Sequence, residues 1–158
     1  VVDGSLISEN AYFIRQRESG YENASIREII REIMDVADLC YLSGRKSCAV
    51  RGGFIATNRK DLSAAFVFYG SGPAPEAIPN LQAPVYGFYA GNDARINATV
   101  PQTREQMKAA GKFYEVVTYE GAAHGFMRAG EQPDATEANR KARAAAWVKI
   151  KALRNNDR

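Results

Sequence analysis

The chain has 158 residues, of which 46% are hydrophobic, 25% charged and 10% aromatic. These values are typical of a globular domain and exclude a disordered or collagen-like chain. No apolar run approaches the roughly 18 residues that a membrane span requires, so we expect no membrane partner. The net charge of +3 comes from interspersed basic and acidic residues, which predicts no nucleic-acid partner. A chain of this length can bury a substantial core, and we expect one domain over residues 1–158.

The cysteine content and the first residues bear on the cellular compartment. Cys40 and Cys48 are the only cysteines, too few for a secreted disulfide scaffold, and they indicate a reducing environment. The first ten residues lack a basic head followed by an apolar block, so no signal peptide is predicted. We therefore expect a cytoplasmic protein.

The N-terminal part of the chain changes character at residue 25. Residues 1–24 show no clear hydrophobic period, and we expect an irregular arm or flap there. Ser25 and Glu28 have the spacing of a capping box, which predicts the start of a helix. Apolar residues then recur at helical spacing as far as Cys40, so the helix is predicted over residues 25–43.

Several short apolar runs, bounded by turn residues, predict β-strands. The predicted strands cover residues 46–50, 64–69, 85–89 and 114–119. The runs at 64–69 and 85–89 are continuous rather than alternating, which is typical of strands buried on both faces of a parallel sheet.

Predicted helices alternate with these strands. Pro101 favours a helix start and Gly111 its end, and Asp134 and Glu137 have the spacing of a start for the last helix. The alternation predicts a βαβ core over residues 25–158. The expected fold class is α/β, with three layers and a mainly parallel open sheet between flanking helices.

Two polar residues follow neighbouring strands of the predicted sheet. Asp93 follows the strand at 85–89, and His124, the only histidine, follows the strand at 114–119. Taken alone, Asp93 is an ordinary turn residue and His124 an ordinary structural histidine. Ligands of open parallel sheets bind beyond the carboxyl ends of the strands. A carboxylate and an imidazole together at that edge indicate the supporting half of a nucleophile–His–acid triad.

The stretch from residue 62 to residue 153 resembles the C-terminal half of the dienelactone hydrolases, a branch of the α/β-hydrolase fold. Four segments carry the resemblance: AAFVFYGSGP from Ala64, APVYGFYAGNDARI from Ala83, MKAAGK from Met107 and YEGAAHGFMRAG from Tyr119. The resemblance implies hydrolysis of a small-molecule ester or lactone by a Cys–His–Asp triad, without a metal or other cofactor. It also implies a truncated version of the family fold.

The resemblance assigns roles to individual residues. Asp93 would be the triad acid and His124 the triad base. Arg128 matches an arginine that helps hold the substrate carboxylate, although a solvated loop charge is an equal alternative. Phe126, in the same motif, is a second candidate for substrate binding.

The nucleophile is where this chain departs from the family pattern. The family places it on a G-x-C-x-G turn after the strand that corresponds to residues 46–50, and no Cys or Ser stands between two glycines there. Cys48 is the nearest thiol and the candidate nucleophile. Its alternative role is a buried strand residue, because free cysteine behaves as a small hydrophobe. The opening strands of the family, which supply part of its oxyanion hole, have no recognisable counterpart in residues 1–24.

Two functions therefore stay open at this point. The first is a dienelactone-hydrolase-like esterase in which Asp93 orients His124. The second is a catalytically inactive homologue that binds a small molecule or a protein partner. A sheet with fewer strands than the family has would leave an apolar edge, which invites pairing with another chain. We therefore expect a homodimer.

Overall fold

The structure is a computed structural model, and it describes residues 2–3, 7–36, 40–41, 57 and 60–156. The chain divides into two units, Val1–Gly53 and Phe54–Arg158. The single-domain organisation expected over residues 1–158 stays a prediction.

The N-terminal unit contains two helices, α1 (Ile7–Arg17) and α2 (Ile26–Asp35). Helix α2 begins at the predicted capping box. The hydroxyl of Ser25 accepts a hydrogen bond from the backbone N–H of Glu28 at 3.2 Å, and the Glu28 carboxylate accepts one from the Ser25 N–H at 2.7 Å. These reciprocal bonds satisfy two donors at the helix start that have no partner within the helix.

The prediction of an irregular arm over residues 1–24 is wrong for the part that forms α1. Among residues 11–17 of this helix, whose side chains the structure describes, Ala11 is completely buried, whereas Tyr12 and Phe13 are about half exposed. Because a small residue is buried there while two large aromatic ones are half exposed, the hydrophobic period that normally indicates a helix is weak.

The predicted extent of α2 is also wrong. The helix ends at Asp35, and Cys40 lies in a short strand, β2 (Cys40–Tyr41). This strand pairs in parallel with β1 (Val2–Asp3). At Cys40, backbone pairing with a strand far away in the sequence takes the place of helical hydrogen bonds. The spacing of apolar residues within a short segment does not reveal such pairing.

The C-terminal unit is built on a parallel sheet of three described strands, in the order β3 (Ala65–Phe68), β4 (Val85–Ala90) and β5 (Tyr114–Tyr119). The three strand predictions made for this region are confirmed to within one residue at each end. The strand predicted over residues 46–50 lies outside the described residues.

Helical segments connect the strands of this unit: a 3₁₀ helix (Pro75–Asn80), α3 (Ala94–Asn97), α4 (Val100–Ala109), α5 (Phe126–Ala129) and α6 (Glu137–Asn156). The last helix starts later than the predicted Asp134, because the hydroxyl of Thr136 accepts a hydrogen bond from the Asn139 N–H at 3.3 Å. This is the contact that a capping residue makes at a helix start. Among the described residues, no helix has the length and apolar character to cross a membrane.

Buried side chains lie on both faces of the sheet. One cluster includes residues of β4 and α6, and comprises Phe88, Ala90, Ala122, Phe126, Ala142, Ala146 and Ile150. The other includes residues of β4 and α4, and comprises Ile78, Leu81, Val85 and Met107. Strand β4 supplies both clusters, which explains why its sequence is continuously apolar. The predicted α/β fold, with a parallel sheet between flanking helices, is confirmed.

Candidate active site

Asp93 and His124 lie side by side beyond the carboxyl ends of β4 and β5. Nδ1 of His124 is 2.5 Å from Oδ2 of Asp93. Because an ionised carboxylate only accepts hydrogen bonds, this contact assigns the proton to Nδ1. Nε2 is then the ring nitrogen that can take a proton from a nucleophile.

The Asp93 carboxylate is fixed by the backbone as well as by the imidazole. Its Oδ1 accepts a hydrogen bond from the N–H of Ile96 at 3.3 Å and so caps α3. Asp93 is 7% exposed, whereas the His124 side chain is 51% exposed. A buried carboxylate therefore holds an imidazole that solvent and small molecules can reach.

The loop that carries Asp93 is hydrogen-bonded to the loop that carries His124. The backbone N–H of Asn92 donates to the Ala122 carbonyl at 2.9 Å, and its side-chain amide donates to the Gly121 carbonyl at 3.1 Å. Gly91 donates to the Tyr119 carbonyl at 2.8 Å. These three bonds fix the spacing of the two loops, and with it the spacing of the acid and the base.

Gly91 allows the loops to approach this closely. A Cβ atom at this position would lie 3.0 Å from the Tyr119 carbonyl oxygen and 3.1 Å from Cα of Glu120. Both neighbours are backbone atoms, so a side chain would push the loops apart.

Helix α6 and a glycine turn support the His124 loop. The buried Asn139 of α6 accepts a hydrogen bond from the Ala123 N–H at 2.9 Å. Gly125 directly follows His124 and has a φ of +82°, a conformation that glycine adopts without steric cost. The chain therefore turns sharply after the imidazole and enters α5.

Two aromatic residues lie beside the imidazole. The ring centroid of Tyr69 is 5.0 Å from that of His124 and 5.3 Å from that of Phe126. Phe126 itself has no exposed surface and belongs to the core cluster beside α6. Its side chain packs in this cluster next to Tyr69, and the substrate-binding role expected from the sequence stays a prediction.

The other sequence candidates have different locations. Arg128 lies in α5, one turn after His124, and is exposed. Cys48, the candidate nucleophile, lies outside the described residues. Within the described parts of the chain, no group of three or more His, Cys, Asp or Glu side chains has an arrangement suited to a metal ion.

Sequence reasoning missed three residues that shape the site: Tyr69, Asn92 and Asn139. Asn92 had a usable signal, because it directly precedes Asp93 in a turn and asparagine commonly bonds to turn backbone. Tyr69 and Asn139 come from a different strand and a different helix. Only the tertiary structure brings them to the imidazole loop.

The sequence profile of the dienelactone hydrolase family matches residues 49–156, which is more than half of the chain. The chain belongs to the dienelactone hydrolase family. The match includes Asp93, His124 and Arg128, and it confirms the resemblance drawn from residues 62–153.

A solved structure supports the same family. It is the crystal structure of a protein from Klebsiella pneumoniae that is provisionally named a dienelactone hydrolase. The two structures agree with a TM-score of 0.55 at 26% sequence identity, over 65% of this chain and 45% of the Klebsiella chain. This member of the dienelactone hydrolase family therefore spans less than half of its structural relative.

Curated relatives of a different kind also match part of the chain. The tyrosine phenol-lyase of Pasteurella multocida is 48% identical over 93 residues, and that of Fusobacterium nucleatum is 40% identical over 93 residues. Each match covers 58% of this chain, but only 19% and 18% of the two lyases. The chain therefore spans under a fifth of these lyases.

Proposed function

We propose that this chain hydrolyses carboxylic esters or lactones, with His124 as the general base and Asp93 as the acid that orients it. The 2.5 Å contact between Nδ1 and Oδ2 carries the proposal. Family membership supports hydrolase chemistry. The hydrogen-bonded loops supply the fixed geometry that proton transfer requires.

The proposed reaction has two halves. Nε2 of His124 takes the proton of the nucleophile, which attacks the carbonyl carbon of the ester. The tetrahedral intermediate collapses to an acyl-enzyme, and Nε2–H returns the proton to the departing alkoxide. Water then attacks the acyl group with His124 again as the base, which releases the acid and restores the nucleophile. Asp93 stabilises the imidazolium that forms in both halves.

We propose Cys48 as the nucleophile, on the basis of the sequence and the family chemistry. A thiol that is paired with an imidazole has more thiolate character than an isolated one, and thiolate is the reactive form. Iodoacetamide should therefore label Cys48 faster than Cys40, and His124→Ala should remove the difference. Equal, slow labelling of both cysteines in the native protein would contradict this assignment.

Arg128 is the proposed contact for a substrate carboxylate. Its exposed guanidinium lies one turn beyond His124, and guanidinium binds carboxylates in a bidentate geometry. Arg128→Ala should raise KM for a lactone that carries a carboxylate, and it should leave KM for a neutral ester unchanged. Equal KM changes for both substrates would contradict a carboxylate contact.

The direct test of the proposed function is hydrolysis of p-nitrophenyl acetate by the native chain and by His124→Ala. We expect the native protein to show enzyme-dependent release of nitrophenol that His124→Ala abolishes, with unchanged circular dichroism. Activity that survives the substitution would contradict the role of His124. No hydrolysis by the native protein would contradict the proposal and favour an inactive homologue that binds a ligand.

The similarity to tyrosine phenol-lyases carries no proposal, because this chain spans under a fifth of those enzymes.

A further inference from the structure

Tyr69 has an unusual backbone conformation for its residue type. Its φ is +39°, and it is the one non-glycine residue with a positive φ among those the structure describes. L-residues with large side chains rarely adopt this region, because Cβ approaches the backbone oxygen. Residues in such conformations persist only where the surrounding structure holds them, and they are frequent at functional sites.

The sheet holds Tyr69 in this conformation. The residue directly follows β3, and its N–H donates a hydrogen bond to the Phe88 carbonyl of β4 at 2.8 Å. The sheet hydrogen bonding therefore extends one residue beyond the end of the strand. The side chain of Tyr69 leaves the sheet at the same edge at which His124 lies.

The Tyr69 ring lies between the core and the imidazole. Its centroid is 5.0 Å from His124, with the two ring planes at 59°, and 5.3 Å from Phe126, which it meets edge-on at 74°. Phe126 is completely buried. Tyr69 thus packs against a fully buried core residue on one side and contacts the imidazole on the other.

A second contact matters because one hydrogen bond does not fix a ring. The bond from Nδ1 to Asp93 anchors one atom of His124, but the imidazole can still tilt about it. Nε2 lies across the ring from Nδ1, so tilting displaces it most. Residues that lock the rotamer of a catalytic group are needed to hold it in productive geometry.

We propose that Tyr69 is a positioning residue for His124: its strained backbone places the phenol ring against the imidazole, and this contact fixes the direction of Nε2. The kinetic part of the inference rests on the proposed function, whereas the orientation of the ring does not.

Proton NMR tests the positioning without any need for activity. His124 is the only histidine, so a low-field proton that is coupled to a histidine ¹⁵N and is absent from His124→Ala belongs to its Nδ1–H. We expect Tyr69→Phe to keep this signal sharp, because the ring remains, and Tyr69→Leu to broaden or abolish it. Tyr86→Leu is the matched control, because it also removes a tyrosine ring from the sheet. Among the described residues, the ring of Tyr86 contacts Phe66 and Phe113 and not the imidazole. Tyr86→Leu should keep the native signal.

Two results would overturn the inference. One is a native Nδ1–H signal in Tyr69→Leu. The other is equal loss in Tyr69→Phe and Tyr69→Leu, which would assign the effect to the hydroxyl. If Tyr69→Leu does not fold, Tyr69→Gly replaces it, because glycine suits a positive φ while the ring is removed. The signal should be lost in Tyr69→Gly as well, and its retention would overturn the inference.

Kinetics separate this inference from the proposed function. Misplacement of a catalytic group by about 1 Å costs up to about a hundredfold in rate, so we expect Tyr69→Leu to lower kcat at least about tenfold while KM changes little. If His124→Ala abolishes hydrolysis but Tyr69→Leu leaves kcat unchanged, the positioning role fails and the proposed function stands. If the native chain hydrolyses no ester, the proposed function fails and the NMR result still decides the positioning role.

Discussion

The two carboxylate oxygens of Asp93 have different partners: one accepts a backbone hydrogen bond and the other contacts the imidazole. Oδ1 caps α3 through the Ile96 N–H, while Oδ2 meets Nδ1 of His124. The two tasks support each other, because a carboxylate that the backbone has already fixed loses little freedom when it binds the imidazole. They can also be separated by substitution.

Asp93→Asn keeps the capping oxygen but removes the charge. The amide can donate to Nδ1 and so favour the tautomer with the proton on Nε2, which is the wrong form for a general base. We expect kcat to fall about 10⁴-fold, while the urea concentration at the midpoint of unfolding changes little. Asp93→Ala should also remove the cap and lower the free energy of unfolding by about 1 kcal/mol. Equal stability of the two variants would contradict the capping role.

Tyr89 and Tyr114 predict a loss of stability at high pH. Their hydroxyls are 2.5 Å apart, and burial raises the pKa of both phenols above the ordinary tyrosine value. In the unfolded chain they ionise first, so the unfolded state binds fewer protons once pH exceeds about 10. The contribution of the two protonated phenols to the free energy of unfolding is therefore fully present below about pH 10. It is lost as pH rises from about 10 toward the folded pKa values, by up to about 1.4 kcal/mol per pH unit for each tyrosine.

Urea unfolding at pH 8 and at pH 10.5 measures this effect. Tyr89→Phe should be less stable at pH 8 by about 1 kcal/mol, because the Tyr114 hydroxyl loses its partner. It should also lose less stability than the native protein between the two pH values. An equal loss in both proteins would contradict the assignment to this pair.

At the residue scale, the sequence predicts the pairing of Asp93 with His124 because both follow strands of one parallel sheet. Residues that directly follow neighbouring parallel strands lie at the same edge of the sheet and therefore close together. It does not predict the positive φ of Tyr69 or the contact of Asn139, because these depend on how β3 and α6 pack against the His124 loop.

At the element scale, the close contact of the two site loops is the main structural device. Gly91 makes that contact possible, since a Cβ atom there would meet backbone atoms at 3.0 and 3.1 Å. We expect Gly91→Ala to lower the free energy of unfolding by about 1–3 kcal/mol, as overpacking does, and to lower kcat. In Gly70→Ala, the added Cβ makes only ordinary contacts of 3.4 and 3.7 Å. Equal melting temperatures for the two variants would contradict this account of Gly91.

The predictability of the elements differs between the two units. The strands at 64–69, 85–89 and 114–119 were predictable because they are mostly half-buried or buried and rich in aromatic or β-branched residues, with turns at both ends. Helix α1 was not, because Ala11 is buried while Tyr12 and Phe13 are about half exposed among its described side chains, at positions 11–17. The strand pair of the N-terminal unit has two residues in each strand, too few for any period.

At the scale of the whole molecule, the homodimer expected from the sequence stays a prediction. Phe113 is 54% exposed and contacts Tyr86, which in turn stacks on Phe66. Tyr86 and Phe66 are partly buried, so Phe113 extends an aromatic cluster to the surface, and exposed apolar surface of this kind favours association. Sedimentation velocity over a hundredfold range of concentration should show twice the monomer mass at the upper end. A monomer at every concentration would contradict the expectation.

A double-mutant cycle shows whether Asp93 acts on the reaction only through His124, as the proposed mechanism requires. The measurement is kcat/KM for p-nitrophenyl acetate in the native chain, Asp93→Asn, His124→Ala and the double variant. Residues that act as one unit give strongly non-additive losses. We predict that Asp93→Asn lowers kcat/KM severely in the native background and by less than about threefold in the His124→Ala background. Equal losses in both backgrounds would contradict the claim.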